Sequence, residues 1–174
     1  DHPRKHRHAC IVWGMPGTYW FPAFMPSWIQ PEDLNKYTRS ALDRLRAIPL
    51  MRDHCNIVVE PVGGMTLGIE PPTADYLADL NEIADLTKSL LIFDEVLCGN
   101  YRTGHLFAWQ HYAAQTLRTI APHMITLGKG LTAGYFPLSA VLVCGEVMDV
   151  IRAGSGQLWH STTNQNHPIG CAAG

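Results

Sequence analysis

Long apolar runs are missing from this sequence of 174 residues. No stretch approaches the length needed to span a bilayer, so a membrane helix is not expected. The polar, basic start Asp1–His8 has no apolar core behind it, unlike a secretory signal. An excess of one charge is missing too. Thirteen Lys and Arg stand against fifteen Asp and Glu, a net −2, which argues against a nucleic-acid partner held by bulk charge. The five cysteines (Cys10, Cys55, Cys98, Cys144, Cys171) are odd in number and widely spaced, with no Cys-x-x-Cys pair. A disulfide framework or a cysteine-only zinc site is therefore not expected, and a reducing, cytoplasmic compartment fits best. His2, His6 and His8 are close together, but no His-Glu-x-x-His spacing appears and no metal site is expected. Internal repeats and low-complexity tracts are absent.

What is present is globular in character. Hydrophobic residues make up 47% and charged residues 16%, a balance that favours a packed core over disorder. The length suits one domain with a substantial core. Asp1 rather than Met opens the chain, which fits a stretch of a longer protein. Residues 1–31 hold five prolines with Trp13, Tyr19, Trp20, Phe21, Phe24 and Trp28 between them, and read as an extended connecting segment. Residues 32–174 read as the domain proper. Pro31, Glu32 and Asp33 suit a helix start, and Leu34, Tyr37, Ala41, Leu45 and Ile48 follow at helical spacing.

A strand is expected over 56–60, before Pro61 and Gly63-Gly64. Pro71-Pro72-Thr73 opens a helix that carries Tyr76, Leu80, Ile83 and Thr87 on one face, with Asp75, Asp79 and Asp85 elsewhere. Leu90–Phe93 is apolar throughout and ends in Asp94, as a central parallel strand would. Ile125–Leu127 repeats the form and ends in Gly128-Lys129. A strand over 138–144 and a short helix over 146–152 follow. The alternation indicates an α/β unit with a mostly parallel sheet and flanking helices. Cys98, Cys144 and Cys171 are expected to be small buried apolar residues.

Ligands of such sheets bind outside the carboxyl ends of the strands. Asp94 and Lys129 are placed there by the pattern. By local pattern alone, a turn or cap for Asp94 and an exposed loop for Lys129 are the plainer readings. The glycines at 128, 130 and 134 shift that balance, since they permit close approach of backbone to a ligand. An amine so placed can do covalent chemistry with a carbonyl compound. An acid at a strand end can be the counter-charge of a protonated ring nitrogen, the pairing that pyridoxal-phosphate enzymes use.

Ordered motifs extend this. Leu91-Ile92-Phe93-Asp94-Glu95-Val96 is followed by Gly99, Arg102-Thr103-Gly104 and Phe107-Ala108. Thr126-Leu127-Gly128-Lys129-Gly130, Gly134-Tyr135, Pro137 and Ala140-Val141 come next. Val59-Glu60-Pro61-Val62, Gly68 and Pro71-Pro72 lie upstream, and His160, Thr163, Pro168 and Cys171-Ala172-Ala173 downstream. Over residues 56–174 the chain resembles the class III pyridoxal-phosphate-dependent aminotransferases, the ω-aminotransferase family. The resemblance implies part of the large domain of the aspartate-aminotransferase-like fold (fold type I). It implies amino-group transfer from an amine or ω-amino acid to a 2-oxo acid through a pyridoxal 5'-phosphate Schiff base on Lys129.

By the same resemblance, Asp94 pairs with the pyridinium nitrogen and Val96 packs on one ring face. Thr163 reaches the cofactor phosphate of the neighbouring subunit in a homodimer, and Glu60 lines the substrate side. Three departures stand out: Tyr101 replaces a glycine, His123 replaces an aspartate after Pro122, and Leu97 stands where some members have glutamine. The family's amino-terminal phosphate-binding turn and carboxy-terminal small domain are not found, so the chain reads as a fragment. A glutamate-semialdehyde-type aminomutase shares the same lysine and aspartate. A non-catalytic truncated remnant or interaction domain is the alternative of another class, favoured by the missing phosphate turn and opposed by the intact Asp94 and Lys129.

Overall fold

The computed structural model describes residues 56–64, 69 and 71–174. The expected helix after Pro31, the 1–31 connecting segment and the three amino-terminal histidines lie outside the described residues. Strand β1 (Asn56–Val59) pairs in parallel with β2 (Leu90–Asp94), with Val58 opposite Ile92. β2 pairs in parallel with β3 (Met124–Leu127), with Asp94 opposite Thr126. β4 (Ala140–Val143) closes the order β1-β2-β3-β4 and runs antiparallel to β3. The mostly parallel sheet expected from the sequence is present, with one antiparallel strand at its edge.

Between β1 and β2 the chain crosses over in helix α1 (Ala74–Thr87). Thr73 enters it in extended geometry, and Asp75 in the first turn faces the positive end of the helix dipole. Lys88 ends it in the left-handed region, and the Ser89 N–H returns to the Ala84 carbonyl at 2.9 Å. Its face of Tyr76, Leu77, Leu80 and Ile83 is fully buried against Ile57, Val59, Leu91 and Phe93, the alternate residues of β1 and β2. β2 is therefore not buried equally on both sides. Leu91 and Phe93 are sealed, whereas Leu90, Ile92 and Asp94 are half-buried. Asp79 departs from its expected place off the apolar face. It is 1% exposed and ion-paired with Arg118, which also bonds Glu82 at 2.9 Å.

Helix α2 (Trp109–Gln115) is only seven residues long and is absent from the sequence reading. Its amino end is made by a distant residue. The carboxylate of Glu95 accepts the N–H groups of Ala108 at 2.9 Å and Trp109 at 3.0 Å. Trp109 also lies against Phe93, with ring centroids 6.5 Å apart. Helices α3 (Gly145–Ala153) and α4 (Pro168–Ala173) follow β4. Gly170 of α4 is buried beside Phe136, where an added Cβ would meet the ring at 2.9 Å. No helix among the described residues is long and apolar enough to cross a membrane.

Candidate active site

Three parallel strands deliver three chemically distinct side chains to one edge of the sheet. Glu60 follows β1, Asp94 ends β2, and Lys129 follows β3 after Gly128. This is the carboxyl-end crevice at which parallel sheets bind ligands.

Asp94 is held through one of its two oxygens. Oδ1 accepts the Val96 N–H at 3.0 Å and the Thr126 hydroxyl at 3.1 Å. Among the described residues Oδ2 accepts no hydrogen bond. The Thr126 bond crosses between strands, so the sheet itself fixes the carboxylate. Val96 is half-buried and lies over Gly128, where an added Cβ would come within 3.3 Å of Cγ1. Few neighbours tolerate that approach, so glycine at 128 lets the two strand ends close on each other.

Lys129 begins a short 3₁₀ turn, Lys129–Thr132, and is exposed. Its φ is +39°, in the left-handed region where a Cβ costs about 1–2 kcal/mol. Such strain is characteristic of positions that the surrounding structure holds for a purpose. A cavity of about 530 Å³ opens beside it, lined also by Gly134, Phe136, Pro137, Leu138 and Ser139.

Glu60 completes the cluster. Burial raises its carboxyl pKa, the Asp94 charge raises it further, and Lys129 pulls it down. Its Oε2 is buried with no hydrogen-bond partner among the described residues. A Cβ on Gly64 would lie 2.7 Å from that oxygen. The sequence-predicted Asp94, Val96, Lys129 and Glu60 are thus brought together. Thr163 is exposed in the turn at residues 163–166 and bonds to none of them.

The departures have structural accounts. Tyr101 has φ +63°, which explains why a glycine suits its position. Asn100 before it is also left-handed, at +57°. His123 does not cap a turn. It exchanges bonds with Leu91, donating its N–H at 2.7 Å and accepting the Leu91 N–H on Nδ1 at 3.0 Å. Its carbonyl takes the Cys144 N–H at 2.9 Å. Cys98 is buried as expected, but Cys144 is half-buried and Cys171 is exposed. The sequence reading missed Glu95, Thr126 and Asn100 as supporting residues. Their roles depend on pairings across the fold, and only the adjacency of Glu95 to Asp94 was visible beforehand. Among the described residues, no group of three or more His, Cys, Asp or Glu is arranged to hold a metal ion.

The family model described as aminotransferase class-III matches residues 5–174. An omega-aminotransferase from Caulobacter vibrioides is 34% identical over 163 residues, covering 92% of this chain and 35% of that protein. A diaminobutyrate–2-oxoglutarate transaminase from Halomonas elongata is 42% identical over 118 residues, covering 66% of this chain and 24% of that one. Among solved structures, an amine transaminase from an uncultivated Pseudomonas species, in its PLP-bound form, superposes with TM-score 0.72 at 32% identity. That match covers 83% of this chain and 32% of the other. The chain spans about a fifth to a third of the length of the curated relatives it matches.

Proposed function

The chain belongs to the class III aminotransferases, and on that premise we propose that it carries the catalytic edge of an enzyme moving an amino group from an amine or ω-amino acid to a 2-oxo acid. Its fold is the type I fold of those transaminases, and the cofactor of the family is pyridoxal phosphate. The observation that carries the proposal is the meeting of Asp94 and Lys129 on neighbouring strand ends, with Lys129 strained and beside a cavity.

The residues present fit the cofactor. Asp94 offers an ionisable carboxylate with Oδ2 left for a ring N–H. Val96 offers a branched apolar surface at the same edge. Lys129 offers a primary amine. When bound, pyridoxal phosphate supplies an aldehyde for that amine and an electron-withdrawing ring that weakens the substrate C–H bond.

The chain's own groups divide the remaining work. Asp94, its Oδ1 fixed by Val96 and Thr126, holds a proton on the ring nitrogen through Oδ2. Val96 fixes the height of the ring and excludes water from one face. Lys129 Nζ takes up the substrate proton and returns it. Glu60, near both charges, receives the cationic or polar end of the substrate. Thr163, exposed and outside the cluster, serves the cofactor phosphate of a partner subunit in a homodimer. The names of relatives support the donor class. Diaminobutyrate and gamma aminobutyrate both carry an amino group remote from a carboxylate. Among the described residues Cys98, Cys144 and Cys171 are unpaired, which supports a cytoplasmic location.

The test is amino transfer from a panel of ω-amino acids and amines to 2-oxo acids, run with the protein and with Lys129→Ala. Transfer that disappears in the variant is expected. Turnover retained by Lys129→Ala removes the assignment.

A further inference from the structure

A strained lysine needs restraint, or its backbone relaxes to the right-handed side. Two restraints lie within its own turn. The Leu131 N–H bonds the Gly128 carbonyl at 2.9 Å, and the Ala133 N–H bonds the Gly130 carbonyl at 3.0 Å. A third comes from another part of the chain. Asn100, in the loop after Asp94, donates its side-chain Nδ2 to the same Gly128 carbonyl at 3.4 Å. That carbonyl belongs to the peptide joining Gly128 to Lys129.

The loop is built to hold this position. Asn100 is left-handed at φ +57°, a conformation asparagine accepts more readily than most residues. Its backbone N–H bonds the Leu106 carbonyl at 2.8 Å, which closes the loop on itself. A Cβ on Gly130 would lie 3.4 Å from Asn100 Cβ, at ordinary contact distance, so the loop lies directly against the turn. At the base, Glu95 is wholly buried and both its oxygens are bonded, to Ala108 and Trp109. Gly99 is needed for the same closure, since a Cβ there would meet the Glu95 carbonyl at 2.8 Å. The loop is fixed where it begins and ends, and Asn100 rests on the peptide that carries the lysine.

We propose that Asn100 is a positioning residue for Lys129: by bonding the Gly128 carbonyl it keeps the Gly128–Lys129 peptide in the strained orientation that presents the amine at the cavity. It touches no reacting atom and acts through the backbone. The inference rests on Lys129 being the reactive amine.

Two substitutions isolate the amide. Asn100→Gly removes it while tolerating the positive φ. Asn100→Asp keeps the shape but sets an acceptor against a carbonyl. The protein and both variants are incubated with increasing pyridoxal phosphate and reduced with borohydride. The labelled peptides are then quantified by mass spectrometry. Lys88, exposed and also left-handed at φ +52°, serves as reference in the same digests. In both variants the half-saturating concentration for Lys129 is expected to rise about threefold to tenfold, the worth of one hydrogen bond. Lys88 labelling is expected to stay unchanged. A Lys129 response unchanged in both variants, or a shift shared equally by Lys88, overturns the role of Asn100 and leaves the lysine assignment standing. Labelling of the unsubstituted protein that does not favour Lys129 over Lys88 overturns both.

Discussion

The Thr126 hydroxyl of β3 donates to Asp94 Oδ1 of β2 at 3.1 Å, directly across the register pair that joins the two strands. The candidate ring partner is therefore oriented by the sheet rather than by a mobile loop. Asp94→Asn retains an oxygen for both Thr126 and Val96 while it removes the charge and turns the Oδ2 acceptor into an NH2 donor. The fold is expected to melt at nearly the same temperature. Amino transfer is expected to fall about a hundredfold or more, as when an aligned electrostatic group is lost from a site. Melting curves beside steady-state rates check this, and an unchanged rate would make Asp94 structural.

Glu60 gives a pH dependence of known sign. Burial and the Asp94 charge raise its folded pKa above the unfolded value near about 4.3. The folded chain then holds the proton more tightly than the unfolded chain. Stability from this group is complete below the unfolded value and is lost as pH rises through the folded one. Against Glu60→Gln, which cannot ionise, the parent protein should match at about pH 4 and below and fall behind above it. Denaturant titrations of both proteins across that range report the difference. A gap that widens on acidification would contradict the burial of this carboxyl.

The ion pair of buried Asp79 with half-buried Arg118 ties α1 to the loop before β3. Arg118→Ala removes the ion-pair partner of a carboxylate that is 1% exposed, and a loss of about 2 kcal/mol is expected. Asp79→Ala with Arg118→Ala should recover part of that loss, because the buried carboxylate is removed together with the guanidinium. Urea unfolding of the single and double variants gives the coupling, and additive losses would show the two residues to be independent.

Thiol chemistry should separate the cysteines. Cys98 is 2% exposed, and burial with the Glu95 carboxylate beside it pushes its thiol pKa strongly upward. It is expected to resist iodoacetamide until the chain unfolds, while exposed Cys171 reacts in the native state. Peptide mapping after brief alkylation decides the matter. Early modification of Cys98 would mean that the loop at Glu95 opens in solution. Tyr112 lies in the same pocket, and burial and these neighbours push its phenol up to about 12.

The residues legible beforehand were those whose role is written locally. The apolar runs ending in Asp94 and in Gly128-Lys129 announce parallel strands and their ends. Proline and threonine announce α1. What escaped notice depends on distant pairings. Helix α2 is too short to show more than one turn of apolar spacing, and its start is capped by Glu95, thirteen positions before Ala108. Asp79 lies on the buried side because Arg118 neutralises it from far along the chain. Strand β4 gave its type but not its direction, which the antiparallel pairing with β3 sets.

The order in which Glu60, Asp94 and Lys129 occur along the chain bears on how the site comes into being. Each arrives on a separate parallel strand, after a crossover of a few dozen residues, and such nonlocal pairings form slowly. A nascent chain that has docked β1 on β2 already holds its two acids together but lacks Lys129. The two acids and Lys129 therefore share one sheet edge only after β3 docks, so the last strand of the parallel set completes the candidate site.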